Sequence, residues 1–207
     1  MRLTVTTFVT LDGVVQGPGA PHEDTSGGFT RGGWVVPYVM DDADFGAIIE
    51  EVFGKADAFL LGRTTYDLFS SYWPLVTDEQ DPVAGPLNKL PKHVVTSRPL
   101  TGDWAGTSVV SGDVPAAVAR LKEEPGDELQ VHGSGLLTQA LLAHGLVDEY
   151  RLIVFPVVLG EGKRLFADVR EPVKMRLTGT RTTGSGLALC TYETAGPAEF
   201  GTVPGAT

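Results

Sequence analysis

Three short blocks in the sequence combine residue types that proteins use to hold phosphate groups. They are Gly62-Arg63-Thr64-Thr65, Ser97-Arg98 and Gly133-Ser134-Gly135-Leu136-Leu137. A glycine lets the backbone come close to an anion, and the start of a helix offers free N–H groups and the positive end of its dipole. Hydroxyl groups add hydrogen-bond donors, and an arginine guanidinium can bind a phosphate with two parallel hydrogen bonds. The blocks therefore predict binding of an extended, phosphate-containing ligand.

Each block also has a purely structural interpretation, which the sequence leaves open. In that interpretation Gly62 forms a turn, and Thr64 caps the following helix. Arg98 is then a solvated residue before Pro99, and the glycines of the third block allow a strand and a helix to pack tightly.

An alternation of strands and helices must position these blocks. Apolar and β-branched stretches predict strands at residues 3–9, 58–61, 93–96, 107–110, 129–132 and 150–155. Helical spacing predicts helices at 41–53, 64–69, 114–124 and 136–143, and strands at 174–182 and 187–194 flank Gly184-Ser185-Gly186. This order predicts an α/β fold with a mixed, mostly parallel central sheet, flanking helices and an antiparallel C-terminal hairpin. Each block then follows a strand, at the carboxyl edge where such sheets bind ligands.

A dinucleotide fits the three blocks taken together. The two helix starts suit a pyrophosphate, and Ser97-Arg98 suits a ribose 2′-phosphate, so the pattern favours NADP over NAD. A Rossmann fingerprint is a poor explanation, because Thr138 stands at the third glycine position. The next strand also ends in Pro156 instead of an acidic residue.

The blocks resemble a known family. Leu60-Leu61-Gly62-Arg63-Thr64-Thr65-Tyr66, Val95-Thr96-Ser97-Arg98 and Gly133-Ser134-Gly135 have the order and spacing of the dihydrofolate reductase fold. A closer resemblance is to the reductase domain of the bifunctional riboflavin-biosynthesis deaminase-reductase. That domain opens with a strand ending in a Leu-Asp-Gly turn, as Thr10-Leu11-Asp12-Gly13 does here, and residues 145–152, 156–160 and 164–166 are also similar to it. The resemblance covers about residues 2–194, so we expect one domain at 1–195 and a flexible tail at 196–207.

The resemblance implies an NADPH-dependent oxidoreductase. The implied reaction is hydride transfer to a pteridine-like molecule or an aminopyrimidine of the 5-amino-6-(5-phosphoribosylamino)uracil type. The nicotinamide is expected beside the first strand, with Thr7 and Val14 as backbone neighbours. The expected catalytic residues are Asp12, Trp34 and Asp44, and the other candidate proton donors are His22, Asp24, Asp41 and Asp42. The structural alternatives are a turn at Asp12, a core position for Trp34, and solvation or helix capping for the acidic residues.

The sequence departs from the riboflavin enzyme at several positions. The first block is not followed by an Asp-Asp-Pro stretch, and Gly54-Lys55 stand where an arginine for the substrate phosphate is expected. Val131 replaces an acidic residue, and Gly133-Ser134 replaces the Gly-Gly pair that forms a cis peptide bond in dihydrofolate reductase. Two alternatives therefore stay open. One is a non-catalytic protein that binds NADP or a flavin-like ligand, and the other is a structural partner protein that uses its C-terminal strands.

Composition limits the other classes of function. The 207 residues include 26 acidic and 16 basic residues, and the resulting net charge of −10 disfavours nucleic-acid and membrane-surface binding. The lone Cys190 excludes an intramolecular disulfide framework, and no metal site is expected. The longest apolar runs are far shorter than the roughly 20 residues that a membrane helix needs, and no signal-peptide core is present. We therefore expect a cytoplasmic protein with a small-molecule substrate.

Two further expectations concern assembly and mobility. The apolar stretches 150–155 and 157–159, the C-terminal hairpin and the family resemblance predict a homodimer built on the C-terminal half. Strands buried between two helical layers explain the same apolarity. The glycine-rich segment 17–34 is predicted to be a lid over the nicotinamide.

Overall fold

One eight-stranded sheet organises the protein in the computed structural model, which describes residues 1–40, 42–167 and 169–204. The strands are β1 (Arg2–Thr10), β2 (Ala56–Gly62), β3 (Lys92–Val95), β4 (Thr107–Val110), β5 (Glu128–His132), β6 (Glu149–Phe155), β7 (Val173–Thr182) and β8 (Ala188–Pro197). Their order across the sheet is β4-β3-β2-β5-β1-β6-β8-β7. All pairs from β4 to β6 are parallel, whereas β8 is antiparallel to both β6 and β7.

Helices cover both faces of the parallel part. They are α1 (Val36–Val39), α2 (Ala43–Phe53), α3 (Arg63–Tyr72), α4 (Ala84–Lys89), α5 (Val114–Glu123) and α6 (Gly135–Ala143). Alternation along β2 shows the layers: Ala58 and Leu60 pack in the cluster that contains residues of α5 and α6. The side chains between them, Phe59 and Leu61, pack with residues of α2, α3 and α4. The predicted fold class is thus confirmed.

The structure adjusts some predicted boundaries for local reasons. The α2 helix begins at Ala43 because Asp42 is its N-cap, whose carboxylate accepts a hydrogen bond of 2.9 Å from Phe45 N. The short helices α1 and α4 carry no clear helical signal, since they span four and six residues and contain proline. Strand β8 continues to Pro197, which pairs with Val173 and lies beyond the predicted domain end at 195. The boundary of the tail stays a prediction.

A buried polar network lies between the central strands and α2. Glu128 accepts two hydrogen bonds from the guanidinium of Arg151, at 2.8 and 2.5 Å. Arg151 also forms an ion pair with Glu149 at 2.7 Å. Gln130 donates to the backbone oxygen of Val52 in α2 at 2.7 Å, so the network ties the helix to the sheet. The buried charges satisfy one another, as burial of ionised groups requires.

The described residues contain no helix long and apolar enough to cross a membrane.

Candidate functional site

The three predicted phosphate-binding blocks lie at one edge of the sheet. They follow β2, β3 and β5, which are adjacent and parallel, so their carboxyl ends point the same way. The first and third blocks are in direct contact. The Gly62 N–H donates to Ser134 Oγ at 3.0 Å, and the Ser134 N–H donates to Thr65 Oγ1 at 3.2 Å. The sheet thus brings together residues that are about 70 positions apart in the chain.

The third block forms a tight turn before α6. Gly133 and Ser134 both have left-handed backbones, with φ of 57° and 53°, and α6 begins at Gly135. A Cβ on Gly135 would lie 3.3 Å from Val15, so this turn also approaches the loop after β1. Leu136 is exposed and Leu137 is buried. No peptide bond in the described part of the chain is cis, and the Gly133–Ser134 bond is therefore trans.

The second block lines an open cleft of about 400 Å³ at the ends of β3 and β4. Its lining residues are Arg63, Val95, Thr96, Ser97, Arg98, Val110, Ser111, Gly112 and Val114. The backbone of Arg98 is fixed there, because its N–H donates to Thr96 Oγ1 and its carbonyl accepts from the same hydroxyl, both at 3.1 Å. The Arg98 side chain is exposed to solvent. A fixed backbone with a solvent-facing guanidinium suits the binding of an anion.

Arg63 has a different environment in the same cleft. Its Nε lies 2.8 and 2.7 Å from the two carboxylate oxygens of Asp67, one turn later in α3. Its terminal nitrogen donates to the backbone oxygen of Pro99 at 2.7 Å. Much of the hydrogen-bonding capacity of Arg63 is therefore used inside the protein, whereas Thr64 beside it is exposed.

The predicted nicotinamide neighbours lie at the end of β1. Thr7 and Val14 are buried, and the Val14 N–H donates to Thr10 Oγ1 at 2.9 Å. Val14 also forms a bridge with Arg164, which fastens the loop after β1 to the loop after β6.

Asp12 holds these two loops together. Its carboxylate accepts hydrogen bonds from the Thr10 hydroxyl at 2.7 Å and from the N–H groups of Leu159 and Gly160 at 3.1 and 2.8 Å. The Thr10 bond first, and then the two backbone bonds, lower the pKa of Asp12 to about 2 against the opposing effect of burial. Asp12 is thus an ionised anchor at neutral pH.

The other two catalytic candidates have contrasting surroundings. Trp34 is buried, donates from Nε1 to the backbone oxygen of Gln16 at 2.8 Å and packs edge-on against Phe155 at 5.3 Å. Asp44 is exposed in the first turn of α2. Within residues 1–40, 42–167 and 169–204, no hydrogen bond joins Asp12, Trp34 and Asp44 to one another. The proton donor therefore stays a prediction.

The remaining acidic and histidine candidates are mostly used in local structure. Asp42 caps α2 and accepts a hydrogen bond from the Ser185 hydroxyl, which lowers the pKa of its carboxyl. Asp24 forms an ion pair with Lys163 at 2.7 Å, and His22 is exposed. Asp41 lies outside the described residues.

Two residues that sequence reasoning missed hold the segment predicted as a lid, namely Gln16 directly before it and Phe29 within it. The side-chain amide of Gln16 donates to the Asp24 and Ser26 carbonyls, and its oxygen accepts from Lys163 N at 3.0 Å. Phe29 is buried against Gly162, where a Cβ would lie 3.0 Å from the ring. The closely spaced Gly160 and Gly162 were the available signal of such a close approach.

Among the described residues, no group of three or more histidine, cysteine, aspartate or glutamate side chains is placed to hold a metal ion.

The sheet order and the helical layers define the protein as a member of the dihydrofolate-reductase-like fold class. Its structure is similar to dihydrofolate reductase from Enterococcus faecalis complexed with NADP(H), with a TM-score of 0.56, 14% identity, and coverage of 93% of this chain and 96% of that one. It is also similar to the putative riboflavin biosynthesis protein from Shewanella sp. PV-4, with a TM-score of 0.67, 21% identity, and coverage of 94% of this chain and 99% of that one.

Sequence comparison defines the family more narrowly. Residues 2–189 match the family model of the RibD C-terminal domain, and the chain belongs to this family. The uncharacterized protein YyaP of Bacillus subtilis (strain 168) is 30% identical over 192 residues, covering 92% of this chain and 94% of YyaP. The uncharacterized protein YwjB of the same organism is 29% identical over 139 residues, covering 67% of this chain and 75% of YwjB. The predicted family resemblance is confirmed.

Proposed function

We propose that this protein is an NADPH-dependent reductase that transfers a hydride to a pteridine-like or aminopyrimidine small molecule. The observation that carries the proposal is the convergence of three loops at one sheet edge, with the solvent-facing Arg98 in the cleft beside them. Membership in the RibD C-terminal domain family supports a reductase. The E. faecalis neighbour, which is complexed with NADP(H), supports the choice of cofactor.

In this proposal a dinucleotide lies across the three blocks in one orientation. Ser97 and Arg98 would hold the adenosine 2′-phosphate, and the N–H groups at the starts of α3 and α6 would hold the pyrophosphate. Thr7 and Val14 would lie beside the nicotinamide. When bound, NADPH supplies the hydride.

Protein groups around the nicotinamide end have positioning roles in this proposal. Asp12 is ionised and held by three donors, so it fixes the loop geometry and does not deliver a proton. The segment 17–34, fastened by Gln16 and Phe29, excludes water from the reacting centre. The exposed carboxylate of Asp44 remains our candidate for orienting the substrate ring.

A binding and turnover experiment tests the proposal. NADPH and NADH are titrated separately, and oxidation of NADPH is then followed with a panel of pterins, pyrimidines and quinones. We expect tighter binding of NADPH and turnover with a pterin or a pyrimidine. Failure of both nucleotides to bind would overturn the proposal.

Binding of NADPH without turnover on any compound would support the second candidate, a non-catalytic ligand-binding protein. The buried position of Trp34 and the engaged carboxylate of Asp12 favour that candidate, because neither group is free to act on a substrate.

A further inference from the structure

The two arginines of the cleft have different surroundings, and Asp67 is one of the groups that contact Arg63. Arg63 has a side chain only 18% exposed, whereas Arg98 extends into solvent. An arginine that ligates a bound phosphate must turn its N–H fork toward the ligand. Arg63 instead turns its Nε to Asp67 and a terminal nitrogen to the backbone oxygen of Pro99.

We propose that Asp67 is a positioning residue that sets cofactor preference through Arg63. The carboxylate of Asp67 orients the guanidinium of Arg63, and Arg63 holds the loop that presents Ser97 and Arg98. This inference rests on the proposed function for its ligand, but the mechanical link between Asp67 and the loop does not depend on any ligand.

Asp67 is linked to the loop after β3 by three consecutive sets of contacts. Asp67 is one helical turn after Arg63, so both side chains leave α3 on the same face and pair at 2.7 Å. The guanidinium then reaches across to the loop after β3, where Pro99 O accepts at 2.7 Å and Arg98 O lies at 3.5 Å. Thr96 Oγ1 also binds both the N–H and the carbonyl of Arg98. The loop backbone at Arg98 and Pro99 is thus held by Thr96 and by Arg63, while Arg98 itself is exposed.

The charges in the cleft support the same assignment, in which Arg63 holds the loop and Arg98 binds the phosphate. Arg63 and Asp67 neutralise each other, so the pair adds no net charge for a phosphate to sense. Arg98 then supplies the attraction for a 2′-phosphate, and its effect depends on how well its backbone is placed. If Arg63 were itself a phosphate ligand, the neighbouring carboxylate of Asp67 would weaken binding by repulsion.

A positioning role of Asp67 and direct phosphate binding by Arg63 predict different results for the substitution Asp67→Asn. A positioning role predicts faster amide hydrogen exchange in the loop 96–100, at every residue except Pro99, which has no amide hydrogen, in the nucleotide-free protein. It also predicts a roughly two- to fivefold loss of the preference for NADPH over NADH, the range expected for one partly exposed ion pair. If Arg63 is a direct ligand, exchange in the loop stays unchanged and the preference is equal or greater.

A double-mutant cycle and a charge control complete the test. In an Arg98→Ala background, Asp67→Asn should leave the nucleotide preference unchanged, since Asp67 acts through Arg98. The matched control is Asp103→Asn, which removes an exposed carboxylate of the same loop and should leave both readouts at their original values.

Unchanged exchange at residues 96–100 in Asp67→Asn would overturn the inference, whatever the nucleotides do. If neither nucleotide binds to the unmodified protein, the proposed function fails, yet the exchange comparison still decides the link between Asp67 and the loop.

Discussion

Arg98 and His132 show how neighbouring backbone contacts decide what a side chain can do. The main chain of Arg98 is fixed by Thr96, and the residue is exposed to solvent. His132 is the last residue of β5 and borders the third of the predicted phosphate-binding blocks, but its ring stacks on Phe53 at 4.3 Å. Its Nε2 lies 2.9 Å from Gln130 Oε1, within the buried polar network. Arg98 therefore lines the cleft, whereas the His132 side chain belongs to the buried core.

Arg98→Ala should abolish most of the preference for NADPH over NADH. Loss of a charge-assisted contact to the 2′-phosphate is expected to weaken NADPH binding by roughly 10- to 150-fold and to leave NADH binding nearly unchanged. Titration of both nucleotides measures this difference. Arg120→Ala, which removes an exposed charge from α5, is the matched control. An unchanged nucleotide preference in Arg98→Ala would show that this arginine is wrongly assigned.

His132 should make the folded protein sensitive to acid. Burial, assisted by the positive charge of Arg151, lowers the pKa of His132 from its ordinary 6.5 to about 3. Between these values the unfolded chain binds a proton that the folded protein excludes, so stability falls as the pH drops from 6.5 toward 3. The loss from this group is about 1.4 kcal/mol per pH unit.

Urea unfolding between pH 7 and pH 4 measures the effect, with His132→Gln as the comparison. The variant lacks a titrating imidazole, so its stability should decline less steeply over this range. Identical slopes for the two proteins would contradict the assignment of a neutral, buried His132.

At the scale of elements, the loops after β1 and β6 behave as one unit. Asp12 binds the backbone of Leu159 and Gly160, and Val14 forms a bridge with Arg164. Gln16 and Phe29 extend the contact to the segment 17–34. The predicted lid is thus packed against the loop after β6 instead of standing free in solvent.

Gly162 permits this packing, and its replacement should loosen it. It has φ of +117°, and a Cβ there would lie 2.7 Å from Val14 Cγ1. Gly160→Ala is a matched control, because Gly160 has φ of +80° but open space around its Cβ position. We expect Gly160→Ala to cost about 1–2 kcal/mol from backbone strain alone. Gly162→Ala should cost roughly 1–3 kcal/mol more because of the clash.

Urea unfolding of the two variants provides the comparison. Equal losses of stability in the two variants would mean that the close approach of Gly162 to Val14 and Phe29 does not contribute to the free energy of unfolding.

At the scale of the whole molecule, the C-terminal strands leave one sheet face partly uncovered. Leu152 pairs with Cys190, and Leu177 pairs with Tyr192, so these four side chains lie on the same face. Leu177 is 52% exposed, and the others are partly exposed. We propose that a second copy of the chain covers this face and forms the predicted homodimer.

Light scattering at micromolar concentration tests the dimer. The unmodified protein should have twice the mass of a single chain, and Leu177→Glu should shift it toward the monomer by placing a charge in the interface. Leu75→Glu is the control, since this exposed leucine lies outside the sheet and its change should leave the mass unaltered. A monomeric mass for the unmodified protein would rule out the dimer.

Local patterns in the sequence were sufficient for the fold class, and they placed the predicted phosphate-binding blocks at the ends of strands. Alternation and helical spacing predicted the eight strands and the longer helices, because these signals depend on neighbouring residues. The glycine and arginine blocks follow predicted parallel strands, which puts them at one edge of the sheet. The observed sheet order then makes β3, β2 and β5 neighbours. The short α1 and α4 lack enough turns to produce a periodic signal.

Tertiary structure decided which of the candidate side chains are free. Asp12, Arg63 and Trp34 look equally available in the sequence, yet each is held by partners from distant segments: Gly160, Pro99 and Gln16. The left-handed turn at Gly133-Ser134 and the approach of Gly162 to Val14 also depend on contacts across the fold. The physical reason is that a hydrogen bond or a close packing contact depends on distance in space, and separation along the chain does not encode that distance. The sequence by itself therefore predicted that the three blocks lie at the carboxyl edge of the sheet, and the tertiary structure decided that Arg98 faces the solvent there while Arg63 donates to the backbone of Pro99.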